Sequence, residues 1–100
     1  MNHHRVETET GVYELDPQPV RTSLTEGPPM LWGFQVRILE NGEEIAIKTC
    51  FVGRVSVQFR DEAALEGPIE GLLPVLHELA FEKIEERLRA GEPGDEILFT

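Results

Sequence analysis

The chain is 100 residues long and sets nineteen acids against nine bases, a formal charge of −10, which works against nucleic acid or an anionic membrane as a direct partner and favours a basic one. A chain of this size buries one core and not two, so a single domain over residues 1–100 is expected. The lone cysteine, Cys50, excludes an internal disulfide, and the absence of a charged-then-apolar leader or of any run approaching about eighteen apolar residues makes the cytoplasm the expected location.

Residues 1–10 are polar and expected to be flexible. They begin Met1-Asn2-His3, and a free amine, two amides and a histidine at position three can wrap Cu(II) or Ni(II) in a square plane. Any chain with a third-position histidine shares that property, so no metal is assigned. Gly11 to Leu15 reads as a short strand. Residues 16–29, DPQPVRTSLTEGPP, have the proline and glycine density of a surface loop.

Residues 30–59 carry the clearest pattern. Asn41-Gly42 between two alternating runs predicts a two-residue type I′ hairpin, because both residues accept positive φ. With Glu40 opposite Glu43, an unbroken ladder pairs Ile38 with Ile45, Val36 with Ile47, Phe34 with Thr49 and Trp32 with Phe51. Trp32, Phe34, Val36 and Ile38 then form the apolar face. Gly33, Gln35, Arg37, Leu39, Ala46, Lys48, Cys50 and Val52 fall on a half-polar reverse face. Beyond Gly53, Val55, Val57 and Phe59 continue the alternation as a further strand.

Residues 66–91 read as the one long helix. Ile69, Leu72, Leu73, Leu76, Leu79, Ala80, Ile84 and Leu88 recur at helical spacing and make a stripe that needs a sheet to lie on. Pro68 suits the first turn, Arg87 and Arg89 oppose the dipole's negative end, and Gly91 can take a left-handed cap before Pro93. Pro74 deletes a helical bond, so a short turn from Pro68 and a main helix from Pro74 are expected. Ile97-Leu98-Phe99 is apolar enough to be tied down as a final extended segment. The fold class is therefore α+β: an antiparallel sheet of three to four strands with one long C-terminal helix on one face.

Little catalytic chemistry is visible. Gly67, Pro68 and Gly71 lack the spacing and the lysine of a phosphate loop. Cys50 and His77 are too few for a zinc site. A nucleophilic Cys50–His77 pair is disfavoured because Cys50 is assigned to the face away from the helix. Glu78, Glu82 and Glu85 align opposite the stripe as a solvated ridge or a docking surface, with Glu85 in reach of Arg89. No enzyme activity and no cofactor are expected.

Strand, hairpin, cysteine strand, glycine bend, strand, proline-flanked helix and extended tail together resemble the C-terminal two-thirds of the bacterial export chaperone family SecB, over roughly residues 32–99. The residues that carry the resemblance are Ile47-Lys48-Thr49-Cys50-Phe51-Val52-Gly53-Arg54-Val55-Ser56-Val57, Gly67-Pro68 with Leu72-Leu73-Pro74-Val75, and Gly91-Glu92-Pro93 with Ile97-Leu98-Phe99. Gly67 stands where the family has a cysteine, and Val75 where it has an aromatic. The resemblance implies an acidic, cofactor-free oligomer that holds non-native proteins in apolar grooves. The expectation is thus a self-associating, non-enzymatic protein-binding module whose partner is an unfolded client. The alternative is a small acidic inhibitor or nucleic-acid-mimic decoy that occupies a basic protein surface. Candidate partner-binding residues are Glu78, Glu82, Glu85, Leu39 and Val52.

Overall fold

Asn41 and Gly42 adopt φ of 54° and 79°, the paired positive values of a type I′ turn, and two long strands run antiparallel from it: β4, Leu31–Glu40, and β5, Glu43–Gly53. The computed structural model describes residues 4–23 and 30–100. The Met1-Asn2-His3 motif lies outside them.

Pairing starts as expected, Glu40 with Glu43 and Leu39 with Glu44, and then slips by one residue at a bulge. Ile38 meets Ala46, Val36 meets Lys48, Phe34 meets Cys50 and Trp32 meets Val52. A one-residue slip turns every later side chain to the other face. Ala46, Lys48, Cys50 and Val52 therefore join Trp32, Phe34, Val36 and Ile38 inside, while Ile47, Thr49 and Phe51 are only half-buried. The unbroken ladder and the reverse-face placement of Cys50 and Val52 are both corrected. The slip buries Val52 and Cys50, and the one charge it takes inside, Lys48, finds partners in the Glu92 carbonyl and the Glu96 carboxylate, beyond the long helix.

The remaining strands extend the sheet from both sides. Residues 4–8, expected to be flexible, form β1 (His4–Thr8), which pairs with β2 (Gly11–Pro17) and sets Val6 opposite Tyr13 in the core. A short β3, Thr22–Ser23, pairs with Gly33 and Trp32 inside the stretch expected to be loop. The final extended segment is β6, Glu96–Phe99, and it runs parallel to β5. Among the described residues the strand order is β1-β2-β4-β5-β6, with β3 alongside β4. The sheet is thus larger than expected and antiparallel except at β6. Parallel pairing requires a crossover, and residues 54–95 supply it as two helices.

The first of these, α1 (Arg54–Asp61), replaces the strand expected of Val55, Val57 and Phe59. β4 begins at Leu31, opposite Gly53; Arg54 N still donates to Met30 O at 3.0 Å, but among the described residues no strand lies opposite those that follow, whereas a helix satisfies its backbone internally. Only Val57 is buried, and Phe59 is 88% exposed. The second, α2 (Ile69–Arg89), runs unbroken through Pro74, so the division expected there does not occur. Losing one helical bond is tolerated because Leu72, Val75, Leu76, Leu79, Ala80, Ile84 and Leu88 all bury on the sheet. Gly91 (φ 78°) closes the helix, with Glu92 N donating to Arg87 O at 3.0 Å and Gly91 N to Leu88 O at 3.1 Å, a Schellman cap. Trp32, Phe34, Val36, Leu76 and Ile84 share one core as expected; Ile47 does not. No helix among the described residues is long and apolar enough to cross a membrane.

Candidate functional site

The helices cover one face of the sheet, and the other face changes character across its width. Near β2 it is polar: Arg37 Nε donates to Glu44 Oε1 at 2.5 Å and Arg37 Nη1 to Asp16 Oδ2 at 3.4 Å. Towards β6 it is apolar. Register sets Ile97 beside Thr49 and Phe99 beside Phe51, and the two phenyl rings stack with centroids 5.3 Å apart. Ile97 and Phe99 are 60% and 67% exposed.

These same two residues border an open edge. Thr100 N donates to Phe51 O, and Thr100 O accepts from Gly53 N, so Thr100 points its backbone at β5. Backbone direction alternates along a strand, hence Ile97 and Phe99 turn their N–H and C=O groups outwards. No strand among the described residues lies beyond them. The edge is firmly anchored. Lys48, 0% exposed, donates from Nζ to Glu96 Oε1 at 2.8 Å and to the Glu92 carbonyl at 2.7 Å. Arg87 Nη2 reaches Glu96 Oε2 at 2.5 Å and also pairs with Glu92. The hydrogen bonds from Arg87 and Lys48 hold the Glu96 carboxyl well below its ordinary value, at about 2. Asp95 Oδ1 accepts from Ile47 N at 2.8 Å and so lengthens the ladder with a side chain.

A second feature is a groove of about 560 Å³ along the flank of α2. Its floor is Leu73, Pro74, His77 and Phe81, and its walls carry Glu70, Glu78, Glu82 and Glu85, with His4 of β1 closing one side. The His4 ring stacks on Phe81 at 4.8 Å and 6°, and His4 Nε2 meets Glu85 Oε1 at 3.0 Å. His77 sits edge-on to Phe34 at 5.7 Å, and burial lowers its pKa.

The acidic ridge is present but already partnered. Arg60, the last-turn base of α1, bridges Glu78 and binds Glu82 in a fork, Nη1 to Oε2 at 2.6 Å and Nη2 to Oε1 at 2.8 Å. The bonds to Glu82 and Glu78 raise the guanidinium pKa, and Arg60 lowers that of Glu82. Glu85 lies 3.8 Å from Arg89, as its spacing implied, and is also held by His4. The other two candidates stand apart from the ridge and from any surface: Val52 is in the core and Leu39 is only 8% exposed. No exposed patch of Leu39, Cys50 and Val52 exists, because the bulge turned Cys50 and Val52 inwards. His4 and Arg60 had no sequence signal, since each acts on a helix remote in the chain.

Cys50 is buried; its thiol meets the Lys48 carbonyl at 3.8 Å, and burial pushes its pKa up to about 12. A thiol so placed is not a nucleophile at neutral pH. Among the described residues no three His, Cys, Asp or Glu side chains are grouped to hold a metal ion. No family model matches the chain, and neither a curated protein nor a solved structure matches it.

Proposed function

We propose that this chain is a non-enzymatic protein-binding module that captures an extended, apolar segment of a non-native polypeptide on β6. The observation that carries the reading is the coincidence at Ile97 and Phe99 of outward-turned backbone groups and exposed apolar side chains. An edge of this kind bonds an incoming strand through the main chain and reads its alternate side chains against the sheet face. Natural edges are usually blunted by lysine, proline or a covering loop, and Ile97-Leu98-Phe99 contains neither residue. The ion cluster of Lys48, Glu96 and Arg87 favours a binding role, because it fixes the strand before a partner arrives and lowers the entropy cost of association. The resemblance to SecB implies the same class of client. A formal charge of −10 on each copy opposes self-pairing and leaves a foreign segment as the favoured occupant.

The test uses a reduced, carboxymethylated model protein that cannot refold, labelled with fluorescein and titrated with the intact chain. Anisotropy is expected to rise, to persist at high salt because the contact is apolar and main-chain, and to be lost in Phe99→Asp. Ile97→Pro, which removes an outward N–H and leaves the β5–β6 ladder intact, is expected to weaken it as well. Unchanged binding by Phe99→Asp overturns the reading. So does sedimentation as a dimer that Phe99→Asp dissolves without any client binding, which would assign the edge to a second copy.

A further inference from the structure

The groove on α2 offers little backbone to a partner. Every lining residue except His4 belongs to one helix, whose amides and carbonyls are bonded to one another over its interior, with free groups only in the first turn about Glu70 and where Pro74 lacks its N–H. An extended strand therefore gains little there, and whatever docks must do so mainly through side chains. Leu73, His77 and Phe81 recur at steps of four and form a ridge of the kind that packs against a second helix. The groove runs from Glu70 to Glu85, fifteen residues and so about 22 Å at the helical rise, enough for a partner of roughly four turns.

Charge selects among helices. The floor is apolar and aromatic, the walls carry four carboxylates, and no lysine or arginine lines the groove. Arg60 pairs with Glu78 and Glu82 from α1, and Arg89 and His4 lie against Glu85, so the two arginines offset part of the charge of the four wall carboxylates; neither reaches Glu70, the excess that remains is negative, and it sits on the half of the chain that holds eleven of its nineteen acids. A neutral or acidic helix would bring no compensating charge to these walls. A helix with an apolar stripe flanked by lysine or arginine satisfies floor and walls together.

We infer that this groove binds an amphipathic, cationic helix of a partner protein, with Phe81 and Leu73 as the apolar anchors and Glu70, Glu78, Glu82 and Glu85 as the rim. The site is separate from the β6 edge and does not depend on it.

Three fourteen-residue peptides test this against the intact, 15N-labelled chain: an amphipathic Leu/Lys helix, a scrambled Leu/Lys sequence of equal composition, and an amphipathic Leu/Glu helix. The amphipathic Leu/Lys peptide is expected to bind and to shift the amide signals of Leu73, His77 and Phe81, leaving β6 unmoved. Phe81→Ser is expected to weaken it by roughly tenfold, as for loss of an aromatic anchor. Glu70→Gln, at an exposed position that leaves the core untouched, is expected to weaken it about two- to threefold at low salt and less at high salt. The scrambled and Leu/Glu peptides are expected not to bind. Equal binding of the scrambled peptide overturns the inference, since it would reduce the effect to net charge. So does amphipathic binding that both variants leave unchanged, or signal shifts confined to β6, which would assign the peptide to the sheet edge.

Discussion

Alanine at Val52 and, separately, at Ile47 reads out the bulge that decides which face of β5 is inside. Val52 is completely buried, and truncating it withdraws two carbons from the core. At about 0.8 kcal/mol per buried carbon plus a cavity term, the change should cost about 2 to 3 kcal/mol. Ile47 loses three carbons, but from a half-buried position on the open face, where water fills the space and the expected cost is about 1 kcal/mol. In an unbroken ladder the two costs would be exchanged. Urea melts followed by the fluorescence of buried Trp32, with the denaturant slope held constant between variants, measure both. A larger loss for Ile47→Ala than for Val52→Ala refutes the register. The thiol supplies an independent check: Cys50, buried and with its pKa pushed up to about 12, should resist a thiol reagent in the native state and react on unfolding. Rapid native labelling would return Cys50 to the open face.

Leu76→Ala, at a fully buried site where α2 meets the sheet, should cost about 2 to 5 kcal/mol, and a loss under about 0.5 kcal/mol would place Leu76 at a surface. Acidification should destabilise in two steps, because both native-state pKa values lie below the unfolded ones. Stability from neutral His77, present above 6.5, falls as pH drops below that value, and stability from Glu96, present above 4.5, is lost between there and about 2; melts that are flat between neutral pH and pH 2 would contradict both. Lys48→Met should be close to neutral, since an apolar chain replaces a buried ammonium while Arg87 keeps Glu96 paired, whereas Glu96→Gln leaves the buried Lys48 ammonium with neutral acceptors and no countercharge and should be the more damaging; thermal melts in the opposite order would refute this. Changing Glu78 and Glu82 together to glutamine should free Arg60 and speed amide exchange in α1 with little change in global stability, and unaltered exchange would show that the clamp does not hold α1.

The elements that local rules govern were legible in the chain. The Asn41-Gly42 turn needs positive φ at both residues, Gly91 with Pro93 ends a helix, and the spacing of Leu72, Leu76, Ala80, Ile84 and Leu88 makes one face, so the hairpin turn, the end of the long helix and the α+β class followed from residue chemistry alone, while the unbroken passage of α2 through Pro74 did not. Register did not. Alternation along β5 favours the wrong face, since Ile45, Ile47 and Phe51 are larger and more apolar than Ala46, Lys48 and Cys50, and the outcome rests on partners far along the chain: Glu96 and the Glu92 carbonyl accept the Lys48 ammonium, and Asp95 caps Ile47. The fate of residues 54–61 was likewise tertiary, because their alternation is that of a strand, and they become helix since β4 supplies no residue to pair with them. His4 and Arg60 acquire roles only by docking on α2, at separations of 81 and 18 to 22 residues. Periodicity carries information about a residue's own turn or strand, and nothing about which distant backbone or charge will lie across from it.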